Sequence, residues 1–320
     1  MIKGKIRVEV LDSIKSIDQK DWDLCACPEV FDGQNPYDPF TTYNFLSALE
    51  LSGSVGKGTG WYNCHLVAKS SNEIIAVMPL YMKGHSQGEY IFDHNWAHAF
   101  ENAGGRYYPK LQSCVPFTPA TGRRFLIKKS YEKQAGEALA AGLVTLAKKN
   151  NMSSAHITFC TYEEARKFSG QSFLLRKSLQ FHWENNGFQD FNDFLNSLTS
   201  RKRKAIKKER HKAKSFWNSK GEILRLKGPN IEARHWDSFW DFYQDTGKRK
   251  WGYPYLTREF FAIIHETMSD QILLVLAMEN NKPIAGALNF LGEDTLFGRY
   301  WGTSKYYPCL HYELCYYQAI

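Results

Sequence analysis

The stretch Leu273–Leu291, LLVLAMENNKPIAGALNFL, decides the fold. Two apolar runs flank a turn at Glu279-Asn280-Asn281, which is the pattern of a β-hairpin. The same pattern occurs far upstream, as Cys64–Lys69, a turn at Ser70-Ser71-Asn72, and Glu73–Met82. Shifted by 209 residues, Asn72-Glu73-Ile74-Ile75-Ala76 falls on Asn281-Lys282-Pro283-Ile284-Ala285, and Ala68 falls on Ala277. Each hairpin follows a helical region and precedes another strand, so we read two copies of one α/β (α+β) fold. The expected domains are 1–185 and 186–320.

Outward from the first hairpin, Lys5–Val10 alternates as an edge strand. Pro39-Phe40-Thr41-Thr42 opens a helix that runs through Leu51, with Gly53 as its stop. The glycine-rich run Gly53–Gly60, GSVGKGTG, lacks a G-K-[ST] ending in frame and leads into a strand, so it reads as a flexible connection. Asp93–Glu101 reads as an aromatic, histidine-bearing loop. Tyr131–Lys149 reads as a helix with Ala135, Leu139, Leu143 and Leu146 on one face. His156–Cys160 is a short strand, Tyr162–Phe168 a small helix and Ser172–Trp183 a closing strand. In the second copy we expect a small helix bearing Phe191, Phe194, Leu195 and Leu198, then a strand Glu222–Lys227 and a long helix from Ile231 to Asp245. Thr257 caps a helix that ends at Met268, and Leu296–Gly302 is a strand. A final helix starts at Ser304 with Pro308 in its first turn. That helix ends at Ile320 with no following strand, so the second copy reads as incomplete.

The 320 residues are 43% hydrophobic and 15% aromatic, which excludes a disordered chain. Seven cysteines, an odd number with no CxxC pair, suit free thiols in a reducing cytoplasm. The N-terminus has no signal-peptide apolar core, and the longest apolar run, Ile272–Met278, is far short of a membrane span. Net charge is +8, which points to an anionic partner. Nine of the fourteen residues from Arg201 to Lys214 are Lys or Arg. Thr199 and Ser200 are good N-cap types, so Ser200–Trp217 is expected to be a basic helix. Its first turn, Arg201, Lys202, Arg203 and Lys204, adds four cations to free backbone N–H groups and so forms a candidate phosphate site, expected to hold its ligand in the cleft between the two copies. A solvated surface helix is the plainer reading.

At the residue level, Tyr107–Arg124 (YYPKLQSCVPFTPATGRR), Gln180–Arg210, Lys248–Phe261 (KRKWGYPYLTREFF) and Gly298–Ile320 closely resemble the FemAB-like predicted N-acyltransferases. The resemblance covers nearly the whole chain. It implies tandem GNAT-like domains with mixed sheets flanked by helices, and an N-acyltransferase activity on a substrate amine. That amine would belong to a small molecule or to a phosphosugar or lipid-linked acceptor. GNATs that bind acetyl-CoA carry a Q/R-x-x-G-x-G/A loop, and neither Arg299–Lys305 nor Thr118–Arg124 has it. The donor is therefore expected to be acyl-CoA or aminoacyl-tRNA, with tRNA a possible partner through the basic helix.

Candidate site residues follow. Thr118, Thr121, Gly122, Arg123 and Arg124 form a second anion loop, expected to hold the donor. Lys110 and Gln112 lead into it, and Tyr108 could protonate a leaving group. Lys250 and Trp251, between two helices, and Arg299 and Trp301 are expected to contact the acceptor. His311 and Glu313 in the last helix are candidate proton acceptors, and His311 with Cys315 has the i, i+4 spacing of a Cys–His pair. His182 and Glu184 read as strand residues. His94 and His98 are spaced like metal ligands, but no HExxH accompanies them, so no metal is expected. The rival readings are a non-catalytic RNA- or phosphosugar-binding protein on the same fold, and a membrane-surface protein anchored by the basic helix.

Overall fold

A computed structural model describes residues 5–169, 173–215, 220–250 and 253–320, with the side chains of 133 and 250 outside the description. The chain forms two compact units, Met1–Leu175 with Tyr255–Thr267, and Arg176–Pro254 with Met268–Ile320. Both are mixed α/β structures, and three four-stranded sheets are flanked by helices.

In the first unit, β1 (Ile6–Leu11), α1 (Gln19–Ala26) and α2 (Tyr43–Leu51) precede four short strands. Thr42 caps α2 by accepting from the Phe45 N–H, and Gly53 ends it at φ +69°. The strands are β2 (Trp61–Asn63), β3 (His65–Ser70), β4 (Glu73–Met78) and β5 (Tyr81–Lys83). After them come α3 (His94–Asn102), β6 (Lys110–Ser113), β7 (Leu126–Ile127), α4 (Glu132–Lys149), β8 (Ala155–Ile157) and α5 (Tyr162–Phe168). One sheet has the order β1-β3-β4-β7 and the other β2-β5-β6-β8. Ala135, Leu139 and Leu143 of α4 pack on Leu66, Ala68, Ala76 and Leu111. Each buried leucine contributes about 1.5–3 kcal/mol.

The second unit begins with α6 (Phe191–Ser197), α7 (Ser200–Ala213), β9 (Gly221–Lys227) and α8 (Ala233–Lys250). Helix α9 (Arg258–Met268), whose Thr257 cap accepts from the Phe260 N–H, lies largely in the first unit. Then β10 (Ile272–Glu279), β11 (Lys282–Leu291) and β12 (Leu296–Thr303) complete an antiparallel sheet ordered β12-β11-β10-β9. Helix α8 packs so tightly on this sheet that a Cβ on Gly302 would lie 2.3 Å from the Phe242 carbonyl oxygen. Glycine is required there for close approach.

The repeat holds at the level of register. Ala68 pairs with Ala76 and Lys69 with Ile74, across a bulge between Ala68 and Lys69. In the second unit Ala277 pairs with Ala285 and Met278 with Pro283, across a bulge between Ala277 and Met278. Both hairpin turns carry a left-handed residue at the equivalent place, Ser71 at φ 57° and Asn280 at φ 52°.

Three expectations differ from the structure. Asp93–Glu101 is not a loop: Asp93 opens α3. Ser172–Trp183 forms no closing strand in its described part; Leu174, Leu175, Leu179 and Phe181 are exposed and no sheet edge pairs with them. Alternation without a partner ladder is not enough for a strand. The last helix begins at Leu310 rather than Ser304, and passes into a π-helical turn at Glu313–Tyr317. The intervening residues are held instead by Glu279, which accepts from Lys305 Nζ at 2.7 Å and from the Tyr307 hydroxyl. Phe216, Trp217 and Trp251 lie outside the described residues.

Candidate active site

A cavity of about 300 Å³ opens in the second unit where β12 gives way to the last helix. Trp301 and Thr303 line it from β12, Lys305, Tyr306, Tyr307 and Cys309 from the connection, and Leu310, His311 and Tyr312 from the helix. The last turns of α8 add Thr246 and Arg249. The His311 ring meets Trp301 edge-on, with centroids 5.2 Å apart. Thr246 Oγ1 is buried with no hydrogen-bond partner among the described residues. The hydrogen bonds from Lys305 to Glu279 and Tyr307 push the lysine pKa up to about 12, so it stays cationic. The cavity thus combines an aromatic wall, two cations and an imidazole, a set suited to a polar ligand with a flat or apolar part.

Glu313 does not line this cavity. It is fully buried and receives Arg210 of α7 through both oxygens, at 2.9 and 3.0 Å, with Gln318 as a third donor. Arg210 also lies over the Phe191 ring, 4.1 Å from its centroid. The carboxylate therefore fastens the basic helix to the last helix, with three donors on its two oxygens. Helix α7 starts as expected, with Thr199 accepting from the Lys202 N–H. Its first turn divides by role. Arg203 donates to the carbonyls of Leu195, Asn196 and Leu198, closing the end of α6. Arg201, Lys202 and Lys204 are exposed. Arg299 lies with its guanidinium 5.1 Å from the Tyr300 ring centroid and is not part of the cavity wall.

Lys110 and Tyr108 belong to a buried polar network in the first unit. Lys110 Nζ donates to Asp93 Oδ2 at 2.6 Å, Glu89 Oε2 at 2.7 Å and Ser86 Oγ at 3.0 Å. The Tyr108 hydroxyl lies 2.6 Å from Ser86 Oγ, and Tyr107 donates to Asp93. Burial alone would raise the Asp93 pKa; the hydrogen bonds from Lys110, Ser86 and Tyr107 outweigh it and bring it to about 2. Lys83 sits directly opposite Lys110 across β5 and β6, its Nζ 3.4 Å from the Trp61 ring centroid. Burial brings the Lys83 pKa down to about 7, against the pull of Glu89. Gln112 donates to Thr158 Oγ1.

The loop 118–124 is turned inward. Arg124 is fully buried and donates to the carbonyls of Thr158, Arg123 and Ala120, while Glu164 caps the Arg124 and Phe125 N–H groups. The guanidinium is used to hold the loop together. Thr118 is buried and bonds to the Pro116 carbonyl, and a Cβ on Gly122 would meet Asp38 Oδ2 at 2.2 Å. Arg123 donates to the Ala26 carbonyl and lies near the Tyr37 ring; Thr121 is exposed. Lys250 is the last residue of α8. His182 and Glu184 are exposed, as are His94 and His98. No group of three potential metal ligands occurs among the described residues, and no described helix is long and apolar enough to cross a membrane.

Sequence reasoning missed Lys83, Ser86, Glu89 and Asp93, and likewise Thr246, Arg249 and Lys305. The first four reach Lys110 only through strand pairing and the chain that covers it. A lysine, a serine and two acids within eleven positions, Lys83 to Asp93, were the available signal.

The molecule is thus a duplicated mixed α/β protein, with an open cavity in one repeat and a buried polar network in the other. The chain belongs to the FemAB-like family, whose model, described as peptidoglycan biosynthesis/recognition, matches residues 13–320. No curated protein matches it in sequence. Similar solved structures are distant. FemX is 12% identical, with a TM-score of 0.48 over 90% of this chain and 80% of that one. A tandem GNAT protein from the clavulanic acid biosynthesis pathway is 8% identical, with a TM-score of 0.35 over 94% and 76%. A ribosomal-protein-alanine N-acetyltransferase from Brucella melitensis biovar Abortus 2308 is 11% identical, with a TM-score of 0.32 over 56% and 98%.

Proposed function

We propose that the protein is a cytoplasmic acyl- or aminoacyltransferase that joins an activated acyl group to a substrate amine, with the donor's acyl end in the cavity of the second unit. The observation that carries this reading is the cavity itself, whose wall holds His311 against Trp301 and includes Lys305. An amine must lose a proton before or as it attacks a carbonyl carbon, and His311 is the group in that wall able to take it. Negative charge then develops on the carbonyl oxygen, and Lys305 is the cation in that wall available to meet it. Collapse forms the amide and expels the donor's thiolate or ribose oxygen, which recovers the proton.

The donor is acyl-CoA or aminoacyl-tRNA, and both present phosphates. Arg201, Lys202 and Lys204 at the start of α7 are suited to them, since exposed cations there add to the helix N-terminus. The family's description favours an amine on a peptidoglycan precursor, lipid-linked or carried on a phosphosugar. Thermal-shift measurements against CoA thioesters, bulk aminoacyl-tRNA and nucleotide sugars test the reading. Stabilisation by a donor class, followed by amide formation from it, supports it; stabilisation by RNA or nucleotide sugars with no amide product favours a binding protein.

A further inference from the structure

The cavity of the second unit is larger than acyl transfer alone requires. An apolar cavity of about 150 Å³ is enough to take a benzene molecule, and this one measures about 300 Å³. An acetyl or glycyl group displaces roughly two or three waters of about 30 Å³ each, and would leave most of the space wet. Trp301, Tyr306, Tyr307, His311 and Tyr312 put five rings in the wall, and Leu310 adds a buried apolar side chain. The rings are already gathered: His311 meets Trp301, Tyr312 and Tyr316 edge-on, with centroids 5.2, 5.6 and 5.8 Å apart. A guest ring would take apolar surface out of water here, and aromatic pairs contribute beyond the area they bury.

The two cations do not call for an anionic guest. Arg249 is ion-paired with Asp245, one turn earlier on α8. Lys305 Nζ donates to Glu279 Oε2 at 2.7 Å. Each cation thus reaches the cavity with a carboxylate of its own, and an anionic group would have to compete with it. An ammonium has three N–H donors, so the pair with Glu279 leaves Lys305 able to meet a carbonyl oxygen while cancelling its excess charge.

We propose that the cavity selects an acyl group whose side chain is an aromatic ring, over a small acyl group or an anionic one. The proposal rests on the transferase reading and names the acyl group which that reading leaves open. Cavity volume and wall chemistry set the preference, and the donor's phosphates lie outside it.

The test uses the full chain and three amides that carry an acyl carbonyl without a donor: 3-phenylpropionamide, acetamide and succinamate, at equal ionic strength. Isothermal titration calorimetry reads their affinities. The expected result is saturable binding of 3-phenylpropionamide, at least about tenfold tighter than either of the others. Tyr312 is 51% exposed, so its ring is removable with little loss of packing. Tyr312→Ala is expected to weaken 3-phenylpropionamide binding about fivefold, the order of one aromatic pair, with the melting temperature little changed. If that variant folds poorly, Tyr306→Ala, at the exposed rim, serves the same comparison. Equal affinity for the three amides, tighter binding of acetamide or succinamate, no binding of any, or undiminished affinity in the variant that folds overturns the proposal. Aromatic selectivity with no amide formed from any donor would retain the preference and sink the transferase reading; amide formation without that selectivity would do the reverse.

Discussion

The two repeats share a hairpin to the residue and spend the rest of their sheets differently. In the second unit β11 and β12 run unbroken for ten and eight residues, and the sheet is one piece. In the first, Pro79 separates β4 from β5, and the chain between β6 and β7 leaves the ladder as the inward-turned loop 114–125. The interruption splits the sheet in two and frees a face to hold charge. One repeat kept a regular sheet and opened a cavity at its end, whereas the other broke the sheet and buried a polar network. A fold copied twice can thus carry two polar environments of unlike character, because the hairpin supplies the framework and the connections supply the side chains.

The largest effect expected from disturbing this contrast lies in the first unit. Lys110→Met leaves two buried carboxylates without their cation, and should cost about 3–5 kcal/mol in urea unfolding. A smaller loss would mean that Lys110 is not what neutralises the two carboxylates. In the second unit the comparable weak point is packing. Gly302→Ala drives a Cβ into the Phe242 backbone, which cannot yield as a side chain can, and should cost about 1–3 kcal/mol.

A pH series sharpens the comparison further. The folded-state pKa of Lys83 is depressed to about 7, so between there and its ordinary value near 10 the unfolded chain binds the extra proton. Its contribution to stability therefore rises with pH across that window and is lost as pH falls through 7. Lys83→Met should flatten the rise, and an unchanged profile would assign it to other groups. The smallest structural effect is expected at α7. Replacing Arg201, Lys202 and Lys204 together with Ala should move stability by no more than about 0.5 kcal/mol. Binding of a phosphate-bearing ligand should nevertheless weaken, with a shallower salt dependence.

Much of this architecture was legible because local signals agreed with one another. The hairpins, the apolar stripe of α4 and the cation-dense α7 each declare themselves within a few residues. Lys110 and Gln112 stood out by their place just before the 118–124 loop. What escaped was long-range. Lys83 meets Lys110 only through register, and Glu313 is claimed by Arg210 from 103 residues away. Arg124 looked like an anion ligand because burial of a guanidinium against its own loop's carbonyls leaves no trace in composition. The start of the last helix was displaced by Glu279, whose hold on Lys305 and Tyr307 overrides the helical pattern after Ser304.

The most direct test of the account is the steady-state rate of amide formation with acetyl-CoA and with bulk aminoacyl-tRNA, comparing the wild type with His311→Ala. The account predicts turnover with one of these donors, and a fall in kcat of about 10²–10⁴-fold in the variant with KM and melting temperature little changed. Undiminished kcat in His311→Ala, or no amide from either donor with the wild-type protein, would contradict it.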